Sequence, residues 1–195
     1  MEENAVKSNC KVLLIGGSAG SLEVLMAVIP KLKPISNFAI VIILHRKSTE
    51  DLTLENLIAM KTKIPVVKME DKEILKPGFI YIAPSDYHLL FEKSRHLSLD
   101  VSEKVHYSRP SIDVSFESAA LAFGNTCTAI LLSGANADGT DGLLAIQKAG
   151  GMVILQDPKN ALMPFMPLHA LEALIPNYIL DVEDILEFIN SIELE

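Results

Sequence analysis

A chain of 195 residues and 21.3 kDa accommodates one domain of ordinary size and leaves no room for a second. Its 49% apolar and 22% charged content excludes the composition of a disordered chain, and 17 Lys and Arg against 25 Asp and Glu, a net charge of −8, argues against nucleic acid as a partner. The longest apolar run, Phe38 to Leu44, is far short of the roughly 20 residues of a membrane-spanning helix, and the acidic start Met1-Glu2-Glu3-Asn4 leads into no secretory signal. No membrane insertion and a cytoplasmic location are therefore expected, with Cys10 and Cys127 read as isolated structural thiols.

Lys11 to Ile15, closed by Gly16-Gly17, predicts a buried parallel strand, and Leu22, Leu25, Met26 and Ile29 recur at helical spacing before Pro30 and Pro34. Phe38 to Leu44 is apolar on both faces and rich in β-branched residues, as a central strand of a parallel sheet must be, with His45 at its carboxyl end. Ser48 and Thr49 offer N-caps for a helix carrying Leu54, Leu57 and Ile58, and Pro65-Val66-Val67 opens another strand. Over 77–100, short apolar runs divided by turn residues predict an antiparallel hairpin insertion that includes Phe79 to Ile82.

From Ser111 the helical period returns through Ile112, Phe116, Ala119, Ala120 and Phe123, ending at Gly124-Asn125. Thr128 to Leu132 is a strand, Gly134 to Gly142 a glycine-containing loop, and a helix then runs to Gly150-Gly151. Met152 to Leu155 is a further strand, and Val182 to Ile192 a closing helix with Ile185, Leu186 and Ile189 on one face. The alternation predicts an α/β fold, a doubly wound, mostly parallel sheet with a small antiparallel insertion, as a single domain over 1–195 with residues 1–10 as a lead-in.

Ligands of such sheets bind at the carboxyl ends of the strands, and three loops there carry reactive groups. Gly16-Gly17-Ser18-Ala19-Gly20 fits the GxSxG pattern of a nucleophile on a tight strand-to-helix turn, and His45 and Asp138 end two other strand-to-loop passages. A glycine turn after a first strand more often holds a phosphate, but glycines at 16, 17 and 20 make neither GxGxxG nor a P-loop. His45 alone reads as polar surface and Asp138 before Gly139 as a turn residue; their coincidence with Ser18 on one sheet edge points to a nucleophile, base and orienting acid. The order Ser, His, Asp and the placement of Ser18 after the first strand exclude an α/β-hydrolase. His88, His96, His106 and His169 lack metal-ligand spacing and are read as structural or surface residues, and the 134–145 loop lacks the first Asp and last Glu of a calcium loop.

Several islands in order carry a resemblance. They are Ile15-Gly16-Gly17-Ser18-Ala19-Gly20, His45 after its apolar strand, Pro77 to Pro84 with Asp86 and His88, Arg109-Pro110-Ser111-Ile112-Asp113, and Leu132 to Gly139 followed by Gly142, with Gln156-Asp157 and Met166-Pro167 beyond them. Together they resemble the catalytic domain of the CheB-type protein-glutamate methylesterases of bacterial chemotaxis. The chain departs from the family's habit of Thr and two glycines after the serine, where Ala19, Gly20 and Ser21 stand. It also has Leu44, Arg46 and Lys47 around His45 in place of Gln and Met-Pro, and Ala135 in place of Met.

The resemblance implies a serine carboxylesterase that hydrolyses glutamyl γ-methyl esters on chemoreceptor-like proteins, with glutamine deamidation as a second activity, through Ser18, His45 and Asp138. Backbone N–H groups near Ala19 and Ala135 are the oxyanion candidates, Arg46 and Lys47 the substrate-docking candidates, and no metal or organic cofactor is required. The implied partners are methylated receptor helices, a receptor methyltransferase, and a regulator acting in trans, since ten residues ahead of the first strand hold no receiver domain. Two other functions use the same fold: a non-catalytic receptor-docking module, against which an intact triad argues, and an esterase for small esters.

Overall fold

The computed structural model describes residues 11–46 and 53–192. Ser48, Thr49, Lys47 and Cys10 lie outside them. Seven strands form one sheet: β1 (Val12–Gly17), β2 (Ala39–Leu44), β3 (Val66–Val67), β5 (Ile80–Ile82), β8 (Cys127–Leu131), β9 (Met152–Gln156) and β10 (Tyr178–Leu180). Their order is β10-β9-β8-β1-β2-β5-β3, and every neighbouring pair is parallel. From β1 the chain steps outward on one side through β2, then returns to place β8 on the other side of β1. The strand order therefore reverses around β1, and the carboxyl ends of β1, β2 and β8 share the crevice where ligands of doubly wound sheets bind.

The helices are α1 (Ser21–Val28), α2 (Thr53–Lys61), α3 (Ile112–Phe123), α4 (Thr140–Lys148), α5 (Phe165–Ala173) and α6 (Val182–Ser191). The strands are apolar on both faces because both faces are covered. Leu13, Ile15, Ile40 and Ile42 pack under α1, α2 and α6, while Val12, Leu14, Val41 and Ile43 pack under α3, α4 and α5.

The expected insertion over 77–100 divides in two. Ile80–Ile82 joins the main sheet, parallel to β2 and β3, whereas the antiparallel unit is β4 (Glu73–Ile74), β6 (His88–Phe91) and β7 (His96–Asp100). A three-residue strand with both faces buried carries no alternation to reveal its partner, and Pro77-Gly78 resembles a hairpin turn while serving as an entry to a parallel strand. Leu75, Leu89, Phe91 and Leu97 attach the small sheet to the face covered by α3.

The face of α1 also differs from its expectation. Ser21, Val24, Leu25 and Val28 are buried and Leu22 is exposed. Gly20, in the left-handed region at φ 86°, turns the chain into the helix so that Ser21 points inward; a Cβ at Gly20 would meet Leu162 Cβ and Ser133 Oγ at 2.7 Å. The expectations for α3, capped by Ser111, and for α6 agree with the structure.

Candidate active site

The parallel ladders continue past the strand ends and draw three loops together. His45 donates its backbone N–H to Gly17 O at 3.1 Å, Leu132 donates to Gly16 O at 2.8 Å, and Ser18 donates to Ser133 O at 2.9 Å. Ser18 is thus the first residue past β1, next to His45 past β2 and to the 132–139 loop past β8. The Ser21 hydroxyl adds a tie between these loops, donating to Ser133 O at 2.7 Å and accepting the Ser18 N–H at 3.1 Å. This hydroxyl stands where the resembled family has glycine, and only the fold reveals its use. Beneath it, the buried Gln156 at the end of β9 accepts the Ser133 N–H at 2.9 Å.

His45 and Asp138 meet directly: Nε2 lies 2.7 Å from Asp138 Oδ2. Asp138 is wholly buried and accepts three more hydrogen bonds, from Ile112 N at 2.7 Å, Asp113 N at 3.0 Å and Ser111 Oγ at 2.9 Å. The first N–H groups of a helix lack intrahelical acceptors and carry the positive end of its dipole, so the start of α3 is a natural seat for this carboxylate. Burial by itself would raise the Asp138 pKa; the hydrogen bonds from His45, Asp113 and Ile112 outweigh it and hold the carboxyl down at about 2. Asp138 is therefore an anion at any working pH.

That anion fixes the imidazole. With Nε2–H donated to Asp138, Nδ1 is the nitrogen left to take a proton, and the Asn136 amide Nδ2 stands 3.5 Å from it. Asn136 Oδ1 accepts the Asp138 N–H at 3.2 Å, so one side chain orders both ends of the pair, a role nothing in the sequence signalled. His45 keeps 10% side-chain exposure, enough to be reached from a cleft of about 400 Å³ walled by Arg46, Asp86, Lys104, Tyr107 and Arg109. Ser18 is half-buried, and among the described residues its hydroxyl takes part in no hydrogen bond.

Ala19 and Ala135 are exposed, and among the described residues nothing accepts their backbone N–H groups, which remain available to an oxyanion. Arg46, a docking candidate, lines the cleft beside His45 with its guanidinium already engaged. Its guanidinium grips Glu55 on α2 at 2.6 and 3.2 Å and reaches Ala83 O at 3.3 Å, so its charge is already neutralised by a partner nine residues away in sequence. Lys47 lies outside the described residues. Leu162, exposed and apolar, packs beside Gly20 of the serine loop, and the backbone of Met163 meets Ser133 Oγ and the Gly134 N–H.

His88 is buried and structural: Nδ1 accepts the Ser111 N–H at 3.1 Å and Nε2 faces Glu103 O at 2.9 Å, which fixes the residue that caps α3. His106, Asp113 and Asp141 bring donor atoms within 4.8 Å of one another, a grouping hidden by their sequence separation. Two of the three are exposed and Asp113 already accepts the Gly142 N–H, so no metal is assigned to them.

Residues 13–189 match the family model described as CheB methylesterase. The chain belongs to the CheB methylesterase family. The crystal structure of the Thermotoga maritima CheB methylesterase catalytic domain superposes with a TM-score of 0.86 at 31% identity, covering 95% of this chain and 99% of that one. A Leptospira interrogans relative is 37% identical over 179 residues, 92% of this chain and 93% of its own length. The Thermotoga maritima protein-glutamate methylesterase/protein-glutamine glutaminase is 31% identical over 173 residues, 87% of this chain but 50% of that protein. CheB methylesterases thus come both at this chain's length and at about twice it. No helix among the described residues is long and apolar enough to cross a membrane.

Proposed function

We propose that this chain is a protein-glutamate methylesterase that hydrolyses γ-methyl esters of glutamyl side chains on chemoreceptor helices, and deamidates glutamine by the same route. The observation that carries the reading is the 2.7 Å contact of His45 Nε2 with the buried Asp138, whose carboxyl is held down by its hydrogen bonds, at the switch point of the sheet, beside Ser18. Membership of the CheB methylesterase family and the names of its relatives support the substrate class.

Ser18 Oγ attacks the ester carbonyl carbon while His45 Nδ1 removes its proton. The imidazolium that forms is stabilised by Asp138, and the N–H groups of Ala19 and Ala135 face the oxyanion of the tetrahedral intermediate. Collapse of the intermediate breaks the C–O bond to the methoxy group, which leaves as methanol with the proton from His45. Water, deprotonated by the same nitrogen, then attacks the carbonyl of the Ser18 ester, and the C–Oγ bond breaks as His45 returns the proton to Ser18 Oγ and the glutamate carboxylate is released. For a glutamine substrate the C–N bond breaks instead and ammonia departs. The ester consumed has to be made by a methyl transfer onto receptor glutamates.

The reading is tested by methanol release from a methylated receptor fragment. Release by the wild-type chain and its loss in Ser18→Ala are expected; release undiminished in that variant would exclude the mechanism.

A further inference from the structure

Two helices that start beside the site are capped by each other's carboxyl groups. Asp138 stands immediately before Gly139, the N-cap of α4, and its side chain accepts the first two N–H groups of α3. In return Asp113, in the first turn of α3, accepts the N–H of Gly142, in the first turn of α4, with Oδ1 at 2.8 Å. The two helices touch so closely here that a Cβ at Gly142 would lie 2.5 Å from Phe116 Cβ and 3.1 Å from Asp113 Cα. Asp113 is 5% exposed, and its side chain bonds to Gly142 N and stands beside His106, on the far side of Asp138 from His45 in the hydrogen-bond chain.

We propose that Asp113 is a positioning residue for the His45–Asp138 pair, its carboxyl tying the first turn of α4 to the first turn of α3 and so fixing the loop from which Asp138 reaches His45. This rests on the esterase reading above only for its rate readout. Without the tie, the N–H of Gly142 loses its acceptor and the short span from Asp138 to Gly142 loses its hydrogen bond to α3, keeping the contact of Thr140 Oγ1 with His169 Nδ1 at 3.0 Å on its α5 side. A small displacement of the orienting acid is enough to lower turnover, because the imidazole must stand within hydrogen-bond reach of the nucleophile.

Below about pH 7 Asp113 performs this task as an uncharged group. It is faced by Asp138 from the 132–139 loop, by Asp141 and the Gly142 N–H from α4, and by His106 Nε2 at 3.4 Å from the turn preceding α3. Burial first, then the neighbouring carboxylates Asp138 and Asp141, push its carboxyl up to about 7 against the help of the Gly142 N–H. A neutral Asp113 leaves one negative charge behind His45, on the residue that touches it. The amide of asparagine keeps the acceptor and the neutrality, whereas alanine removes the acceptor.

The test compares Asp113→Ala and Asp113→Asn with the full chain at about pH 6, where the wild-type carboxyl is protonated. Asp113→Ala is expected to lose on the order of 10- to 100-fold in kcat at unchanged KM, and Asp113→Asn to stay within about threefold of wild type. In parallel, the His45 Nε2–H proton resonance, shifted downfield by its bond to Asp138, should persist in Asp113→Asn and shift or vanish in Asp113→Ala. That signal can be read whether or not the chain hydrolyses esters, so failure of the esterase reading and failure of this proposal are told apart. Wild-type kcat and resonance in Asp113→Ala would overturn the proposal. Should Asp113→Ala fail to fold, loss of the resonance in a folded Asp113→Asn would overturn it equally.

Discussion

The acid side and the nucleophile side of the site are built in opposite ways. Asp138 is wholly buried and accepts hydrogen bonds from His45, from the Ser111 hydroxyl and from two backbone N–H groups of α3. Ser18 is half-buried, held only through its backbone, with a hydroxyl that bonds to nothing among the described residues. A group whose task is to hold a charge in one place profits from every available donor, while a group that must form and break a covalent bond needs an unoccupied lone pair. Changes on the acid side should therefore disturb both folding and rate, and changes at the nucleophile should disturb rate alone.

The largest expected effect is the cleanest test of that contrast. Ser18→Ala and His45→Ala should each lower kcat on the order of 10⁶-fold, the double variant scarcely further, and Ser18→Ala should melt within about 2 °C of wild type, as no hydrogen bond to the hydroxyl is lost. Additive losses in the double variant would show that the two residues do not act as a unit. Next comes Asp138→Asn, expected to cost about 10⁴-fold because the amide favours the wrong imidazole tautomer. It should also destabilise the chain, since the amide replaces a buried anion at the start of α3. A rate loss without any fall in thermal stability would contradict the role of Asp138 as acceptor of the first N–H groups of α3.

The acid side also has its own pH signature. Asp138, depressed from 3.8 to about 2, contributes stability that is full above its unfolded pKa and is lost as pH falls through about 2. Asp113, raised from 3.8 to about 7, works in the other sense: its contribution is full below the unfolded pKa and fades as pH rises through about 7. Asp113→Asn should accordingly gain stability relative to wild type between about pH 5 and about pH 8, as read from urea unfolding at the two pH values. A difference that does not change with pH would mean that Asp113 does not ionise in that range.

The smallest effects separate the two sides again. Ser111→Ala removes the cap of α3 and a donor to Asp138, and should cost about 1–2 kcal/mol together with some rate. Ser21→Ala should cost about 1 kcal/mol, because the Ser18 N–H keeps its bond to Ser133 O when the Ser21 hydroxyl is gone. Equal losses in the two variants, measured by chemical denaturation, would remove the distinction.

What could be read from the sequence follows the same division. The strand-end positions of Ser18, His45 and Asp138 were legible because apolar runs closed by glycine or a polar residue mark where parallel strands stop, and one sheet edge collects those stops. The start of α3 and its buried face were legible because helical period is a local property. Legibility ended where an interaction joins residues distant along the chain. Glu55 neutralises Arg46 only because α2 folds over the end of β2, and Asp113 meets Gly142 only because α3 and α4 start side by side. Ile80–Ile82 could not announce a parallel partner, and Leu22 matched a helical period that Gly20 then rotated out of the core.

Mass spectrometry of the covalent intermediate tests the central claim most directly. With an activated ester whose acyl-enzyme hydrolyses slowly, the acyl group should be found on Ser18, at full occupancy in the wild-type chain and absent from both Ser18→Ala and His45→Ala. Turnover of the ester with no adduct at Ser18, or an adduct at another residue that persists in Ser18→Ala, would contradict the account.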